Sequence, residues 1–282
     1  MASQLIDEYR RTSHEISQAI APGWERRRAK FEAAVAPVRE WMVRELAPRP
    51  GGTVLELAAG AGDTGFEAAE ALGDDGRLIS TDFSAAMLDV GRRRGAELGI
   101  RNAEFRVMDA EHLELDSGSV DGVLCRFGYM LMADPAAALA ETRRVLRPGG
   151  RLALAVWDAP QRNPFFTAVV AALANGGFLP PPREDVPNPF SMANPAHTQT
   201  LLQAAGFGAV KVDQARVEFR FRDIDDYVSF MADTAGPLAV VLRKLSEQDR
   251  RTVAATLEDA FGTFATDGGY TVPGAALVAA AS

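Results

Sequence analysis

Apolar positions near the start of the chain recur at helical spacing. Phe31, Val35, Val38, Trp41 and Met42 share one face of a segment running from about Ile16 to Leu46, which closes on Pro48, Pro50 and two glycines. The spacing predicts a helix. The period then shortens: Thr53 to Leu57 is an apolar run that enters a glycine-rich turn, and Phe66 to Leu72 returns to helical spacing. The alternation repeats, with strands expected at Arg77 to Thr81, Ala103 to Met108, Val120 to Cys125 and Arg151 to Trp157. Helices are expected at Ala85 to Leu98 and Pro135 to Leu146, the second stopped by Pro148-Gly149-Gly150. Strands alternating with crossover helices predict an α/β fold with a doubly wound sheet covered on both faces.

After Trp157 the pattern breaks. Pro160, Pro164, Pro180, Pro181, Pro182, Pro187, Pro189 and Pro195 interrupt the chain around one short helix near Phe165 to Ala174. A helix at Ala196 to Ala205, a strand at Val210 to Phe221, largely helical chain at Asp223 to Phe264 and a short closing strand at Gly274 to Ala281 follow. The expected organisation is an N-terminal helical segment (1–50), a core (51–158), a proline-rich insertion or lid (159–200), and the remainder of the sheet (201–282) with a helical lid insertion at 223–265.

Composition narrows the partners. The 282 residues are 47% hydrophobic and 24% charged, ordinary values for a packed globular protein. The formal net charge of −8 opposes a polyanion, and the clusters Arg26-Arg27-Arg28 and Arg92-Arg93-Arg94 have no base-stacking aromatics among them, so nucleic acid is not expected as a partner. Cys125 is the single cysteine, which rules out an intrachain disulfide and suits a reducing, cytoplasmic setting. No apolar run approaches the ~20 residues that span a bilayer, so no membrane insertion is expected. The apolar content of Asp223 to Phe264 leaves a homodimer open.

The chemistry concentrates in Glu56-Leu57-Ala58-Ala59-Gly60-Ala61-Gly62-Asp63-Thr64-Gly65. Glycines at a strand-to-helix turn let the backbone approach a ligand closely and aim amide N–H groups at it. Gly60 to Gly65 satisfies G-x-G-x-x-G and Asp82 ends the next strand about 20 residues on, which a dinucleotide-binding oxidoreductase also requires. Three features point away from NAD(P). Glu56, just before the loop, opposes a pyrophosphate and suits a cationic amino group. Asp109 follows the third strand, placed to accept from an adenine amino group. The three lysines, Lys30, Lys211 and Lys244, include no Tyr-x-x-x-Lys pair.

Four motifs carry a family resemblance: Val54-Leu55-Glu56-Leu57-Ala58-Ala59-Gly60-Ala61-Gly62, Thr81-Asp82-Phe83-Ser84-Ala85-Ala86-Met87-Leu88, Met108-Asp109-Ala110-Glu111, and Arg144-Val145-Leu146-Arg147-Pro148-Gly149-Gly150-Arg151-Leu152. The region from about Thr53 to Asp158 resembles the class I S-adenosylmethionine-dependent methyltransferase domain, in the branch similar to ubiquinone/menaquinone-biosynthesis and "type 11" methyltransferases. Ala58 departs from the pattern by replacing a frequent glycine. The resemblance implies a Rossmann-like seven-stranded sheet with its last strand antiparallel, and S-adenosyl-L-methionine as cofactor with S-adenosyl-L-homocysteine as product.

Cofactor-binding positions implied are Glu56, Ala58, Gly60 and Gly62 in the loop; Asp82 on the ribose hydroxyls, with Phe83 and Met87; Asp109 and Ala110 on the adenine edge; and Arg126 and Phe127 beside the methionine moiety. Phe83 and Phe127 are equally consistent with core packing. Methyl transfer is an in-line displacement that needs alignment and exclusion of water, and no metal. The general-base candidates are His14, His112, His197 and Glu111, with His197 first because it opens a helix beside the insertion. The expected acceptor is a small molecule, aromatic, quinone or other secondary metabolite, methylated on O, N or C. Trp24, Tyr129, Met130, Phe165, Phe166, Met192, Phe230 and Met231 are candidates for its pocket, with ordinary lid packing as the alternative for each. A protein that binds the cofactor without turnover is the second reading from sequence.

Overall fold

The computed structural model describes residues 2–180 and 186–282. Its sheet is built from β1 (Thr53–Leu57), β2 (Arg77–Asp82), β3 (Ala103–Val107), β4 (Val120–Arg126), β5 (Leu146–Trp157), β6 (Val210–Phe221), β7 (Ala265–Thr266) and β8 (Gly269–Ala281). The order is β3-β2-β1-β4-β5-β8-β6, with β7 pairing β8 off the path. β1 to β5 are parallel, and β8 runs antiparallel between β5 and β6. This is the expected Rossmann-like doubly wound sheet with the last strand reversed, extended by the two-residue β7.

The central strands earn their place by apolar content. Leu55 lies in register with Ile79 of β2 and Val123 of β4, and all three are buried. Covering helices are α2 (Asp63–Leu72), α3 (Ala85–Leu98) and α4 (Pro135–Val145), then α5 (Pro164–Asn175) and α6 (Pro195–Ala204) in the proline-rich region. Helix starts follow capping chemistry: Ser84 accepts from the Met87 N–H, Asp134 from Ala137, and Asn194 from Ala196 and His197. The chain expected to be largely helical forms α7 (Ile224–Thr234), α8 (Pro237–Lys244) and α9 (Glu247–Phe261), broken at Gly236-Pro237 and at Leu245-Ser246.

Three elements start well before their expected positions: the N-terminal helix, the closing strand, and β5, which begins at Leu146 rather than at Arg151 and takes in Pro148-Gly149-Gly150. The closing strand begins at Gly269, before Pro273. That proline lies in register with Glu218 of β6, while pairing with β5 starts only at Ala276, so position 273 is on an edge where a missing N–H does no harm.

The N-terminal helix α1 runs from Ala2 to Leu46, about 65 Å at the usual rise, through Pro22 and Pro37. Each proline removes one amide from the helical ladder, yet tertiary packing holds the helix together. Val35, Val38 and Met42 are completely buried, and the helix packs against β5, β6, β8, α3 and α7.

At Gly23 α1 crosses α7 with no room for a side chain, since an added Cβ would sit inside van der Waals contact of the Asp233 carbonyl. An alanine ordinarily strengthens a helix by up to about 1 kcal/mol relative to glycine. Gly23→Ala is instead expected to destabilise, by about 1–3 kcal/mol through overpacking. Urea unfolding of the two proteins checks the sign, and a midpoint that rises would refute the close crossing.

Candidate active site

β1 and β4 are neighbours whose connections leave in opposite directions, so a crevice opens at their carboxyl ends. Both strands end in a residue of left-handed conformation, Ala58 (φ 49°) after β1 and Phe127 (φ 60°) after β4. For residues with a side chain this costs about 1–3 kcal/mol each, and such positions cluster at functional sites. Gly128 completes the constriction, because a Cβ there would lie 2.7 Å from the Cβ of Ala58 and from Cys125 Sγ.

The loop from Ala58 to Gly62 is shaped by two buried carboxyl groups. Glu56, 3% exposed, accepts from the Gly65 N–H at 2.7 Å and from the Ser80 hydroxyl at 3.1 Å. Burial pushes its pKa up to about 8 despite these bonds, so the group is mostly neutral at pH 7. Both its oxygens are engaged within the protein, which makes Glu56 a brace for α2. Asp82 accepts from the Gly60 N–H at 3.0 Å and the Ser84 N–H at 2.9 Å, and burial raises its pKa to about 6. Gly62 (φ 83°) precedes α2 without a side-chain cap.

Phe83 projects from the turn after β2, 38% exposed, with the His14 ring edge-on at 5.6 Å. Asp109 is exposed and accepts from the Glu111 N–H at 2.9 Å, with Ala110 half-buried beside it. Met87 is buried together with Ala21 and Val90, against Trp24 and Ala61.

The first half of α1 lies across these same turns. Tyr9 donates to the Leu131 carbonyl at 2.6 Å, Arg10 pairs with Glu111, and Gln18 accepts from Ser84 and from the Ala86 N–H. Apart from His14, these arm residues went unrecognised in the sequence because they are polar and carry no motif. They pack by contact with distant loops.

On the β4 side, Arg126 forms a bidentate pair with Glu32 of α1, at 2.6 and 3.1 Å. Burial disfavours ionisation of Glu32, yet Arg126 and Arg39 hold its pKa below the usual range. The guanidinium of Arg126 therefore faces α1. Phe127 stacks on Trp157 at 4.1 Å, with Phe31 edge-on at 6.1 Å. Trp24 meets Phe31 at 4.7 Å and Phe165 meets Trp157 at 5.0 Å. These five rings form one aromatic row beside the crevice, to which Phe31 and Trp157 are additions that helical and strand periodicity had marked only as core.

The other acceptor-side candidates disperse. Tyr129 is completely buried with its hydroxyl bonded to Thr142 of α4, and the Met130 sulfur accepts from the Trp157 N–H. Phe230 packs on Phe219 and Phe221, Met231 is buried in α7, and Phe166 faces Phe190. Met192 is buried, its carbonyl taken by Thr198. His197 is exposed on α6, which packs on α4 and β6, the strand three places from β4. His112 is exposed, its backbone N–H donating to the Asp109 carbonyl at 3.1 Å. An open cavity of about 510 Å³ lies apart from the crevice, lined by Asp158, Arg162, Phe190, Asn194 and Gln214 among others.

Residues 37–170 match the model of the ubiE/COQ5 methyltransferase family. This region is a ubiE/COQ5-like methyltransferase domain. The match places the glycine loop among methyltransferase domains, where G-x-G-x-x-G alone had left a dinucleotide enzyme open. Demethylmenaquinone methyltransferase of Clavibacter sepedonicus is 41% identical over 83 residues, 29% of this chain and 33% of that protein. The chain spans about a third of the length of the curated relatives it matches. Among solved structures, YcgJ of Bacillus subtilis superposes with a TM-score of 0.58 at 20% identity, covering 87% of this chain and 97% of that one. The [4+2]-cyclase SpnF does so with a TM-score of 0.54 at 16% identity, covering 94% and 96%. These two likenesses concern the fold of the ubiE/COQ5-like domain and its surroundings.

Protonated Glu56 has a measurable consequence. A carboxyl whose pKa is raised on folding stabilises the native state fully below its ordinary value of 4.5, and that contribution is lost as pH climbs toward about 8. Glu56→Gln keeps an acceptor for Gly65 and removes the ionisation. Its melting temperature is expected to decline less than that of the wild type over that interval, the slope that remains below about pH 6 belonging to Asp82. Parallel slopes for the two proteins would contradict the buried, neutral carboxyl.

Proposed function

We propose that the protein transfers a methyl group from S-adenosylmethionine to a small apolar acceptor. The observation that carries this reading is Asp82, a buried carboxyl at the end of β2 hydrogen-bonded to the Gly60 N–H of the loop, where the hydroxyls of a ribose would reach it. Asp82, ionised above about pH 6, and Asp63 place two carboxylates at the loop, an environment that disfavours a diphosphate and suits a cationic ligand. Phe83 lies along the adenine in this reading, and Asp109 with Ala110 reads its edge.

When bound, the cofactor supplies an electrophilic methyl on a sulfonium. The work left to the chain is alignment and the exclusion of water. The row Trp24, Phe31, Phe127, Trp157 and Phe165 presents ring faces and edges on the acceptor side, suited to a flat apolar molecule and to the sulfonium charge. With His14 beside Phe83 and with His112 and His197 at the surface, none of the three histidines stands out as a base for the acceptor. The acceptor accordingly is one acidic enough to react without a dedicated base, such as a phenol, a quinol or an activated carbon. We extend the reading to a cytoplasmic protein acting without nucleic acid or membrane insertion. No described helix is long and apolar enough to cross a membrane, and the lone Cys125 is buried.

A second reading, cofactor binding without methyl transfer, draws on the likeness to the [4+2]-cyclase SpnF. Incubation with methyl-labelled cofactor and a metabolite extract separates the two: label in a small molecule supports transfer, and tight binding without label supports the second reading.

Calorimetry with S-adenosylhomocysteine is expected to show binding, and Asp82→Ala to weaken it by about 1–3 kcal/mol. Because the carboxylate is the better acceptor, affinity should rise with pH through about 6 and lose that step in Asp82→Asn. Folded protein giving no heat would end the methyltransferase reading. An unchanged affinity in the variants would remove Asp82 from the site.

A further inference from the structure

The first turn of α2 holds polar atoms that the fold does not use. Asp63, its first residue, has a side chain 9% exposed, with Oδ1 accepting from Arg28 of α1 at 2.9 Å and the Arg94 guanidinium beside it as an ion pair at 3.6 Å, beyond hydrogen-bond reach. Its second oxygen, Oδ2, is buried without a hydrogen-bond partner, as is the hydroxyl of Thr64, a residue 2% exposed. Buried polar groups are seldom left unpaired, so two of them together beside a glycine loop point to a ligand. Gly62 brings no side chain to cap this turn, so the leading amides of α2 add a positive end to the same spot.

An amino acid presents two charges about one residue apart, a cationic ammonium and an anionic carboxylate. Glu56 was the obvious carboxyl for the ammonium, but the Gly65 amide and the Ser80 hydroxyl occupy its oxygens. Arg126 was the obvious cation, but Glu32 takes it at both Nη atoms. Asp63 retains a free oxygen, and Arg28 uses one Nη on Asp63, leaving its other N–H groups to a ligand.

We propose that Arg28 and Asp63 are the clamp for the amino-acid end of the cofactor: the ammonium is held by Oδ2 of Asp63, and the carboxylate by the guanidinium of Arg28. This rests on the methyltransferase reading given above. Arg28 precedes the matched region 37–170, so a residue of the N-terminal helix completes a site otherwise built by the shared domain. Between ligands, the two side chains neutralise one another.

Paired titrations test the assignment. S-adenosylhomocysteine carries the amino-acid end, and 5′-methylthioadenosine has the same nucleoside and thioether without it. Arg28→Gln and Asp63→Asn are each expected to weaken S-adenosylhomocysteine about ten-fold or more while leaving 5′-methylthioadenosine within about two-fold. Arg93→Gln, which removes a comparable α1–α3 pair with Glu25 at the surface, is the control and should change neither. Should Asp63→Asn fail to fold, Arg28→Gln, on a partly exposed helix face, carries the test. Unchanged S-adenosylhomocysteine affinity, or equal loss for both ligands, overturns the clamp and leaves the methyltransferase reading standing. Wild-type protein that binds neither ligand overturns both.

Discussion

A glycine loop has no ladder of its own, and the shape of this one depends on a carboxyl group that never reaches the surface. Glu56 spans the turn between β1 and α2 from beneath, tying the Gly65 amide to the Ser80 hydroxyl. From the other side Asp82 ties Gly60 to Ser84. With both in place, Ala58 is held in a left-handed conformation that its methyl group disfavours, and α2 begins at a fixed height over the sheet. Every distance in the crevice, including those to α1 and to the end of β4, is measured from this turn.

The opposite wall is assembled differently. Phe127 is forced into its unusual backbone by the Phe127 N–H donating to the Ala155 carbonyl and by stacking on Trp157. The rings that extend the row come from α1 and from the chain after β5. One wall is thus hydrogen-bonded and local in sequence, whereas the other is apolar and gathered from remote segments.

That contrast explains what the sequence discloses. The strands β1 to β5 and the helices between them follow from period and turn residues, and Gly60, Gly62, Asp82 and Asp109 stand out because a loop motif is local. Phe31 and Trp157 have no such signature, since an aromatic at helical or strand spacing looks the same whether it faces a core or a crevice. The Glu32–Arg126 pair joins residues 94 positions apart and is invisible to any window. His197 attracted attention as the first turn of a helix near the prolines, but β6 and α4 determine where that helix lies. Glu56 shows the same limit: sequence shows a carboxylate at a strand end, and only packing shows that both its oxygens accept from Gly65 and Ser80.

The crossing of α1 over α7 at Gly23 sets a fulcrum. Beyond it, toward the amino end, Ile20 and Ala21 are still buried, Ala21 against Met87 and Val90, and the outer turns are held by Tyr9, Arg10, His14 and Gln18, with one rung already removed at Pro22. Toward the carboxyl end, Phe31, Val35 and Val38 are sunk in the core. The outer arm thus roofs the Phe83 end of the crevice, whereas the aromatic wall rests on the deeply buried half of the same helix.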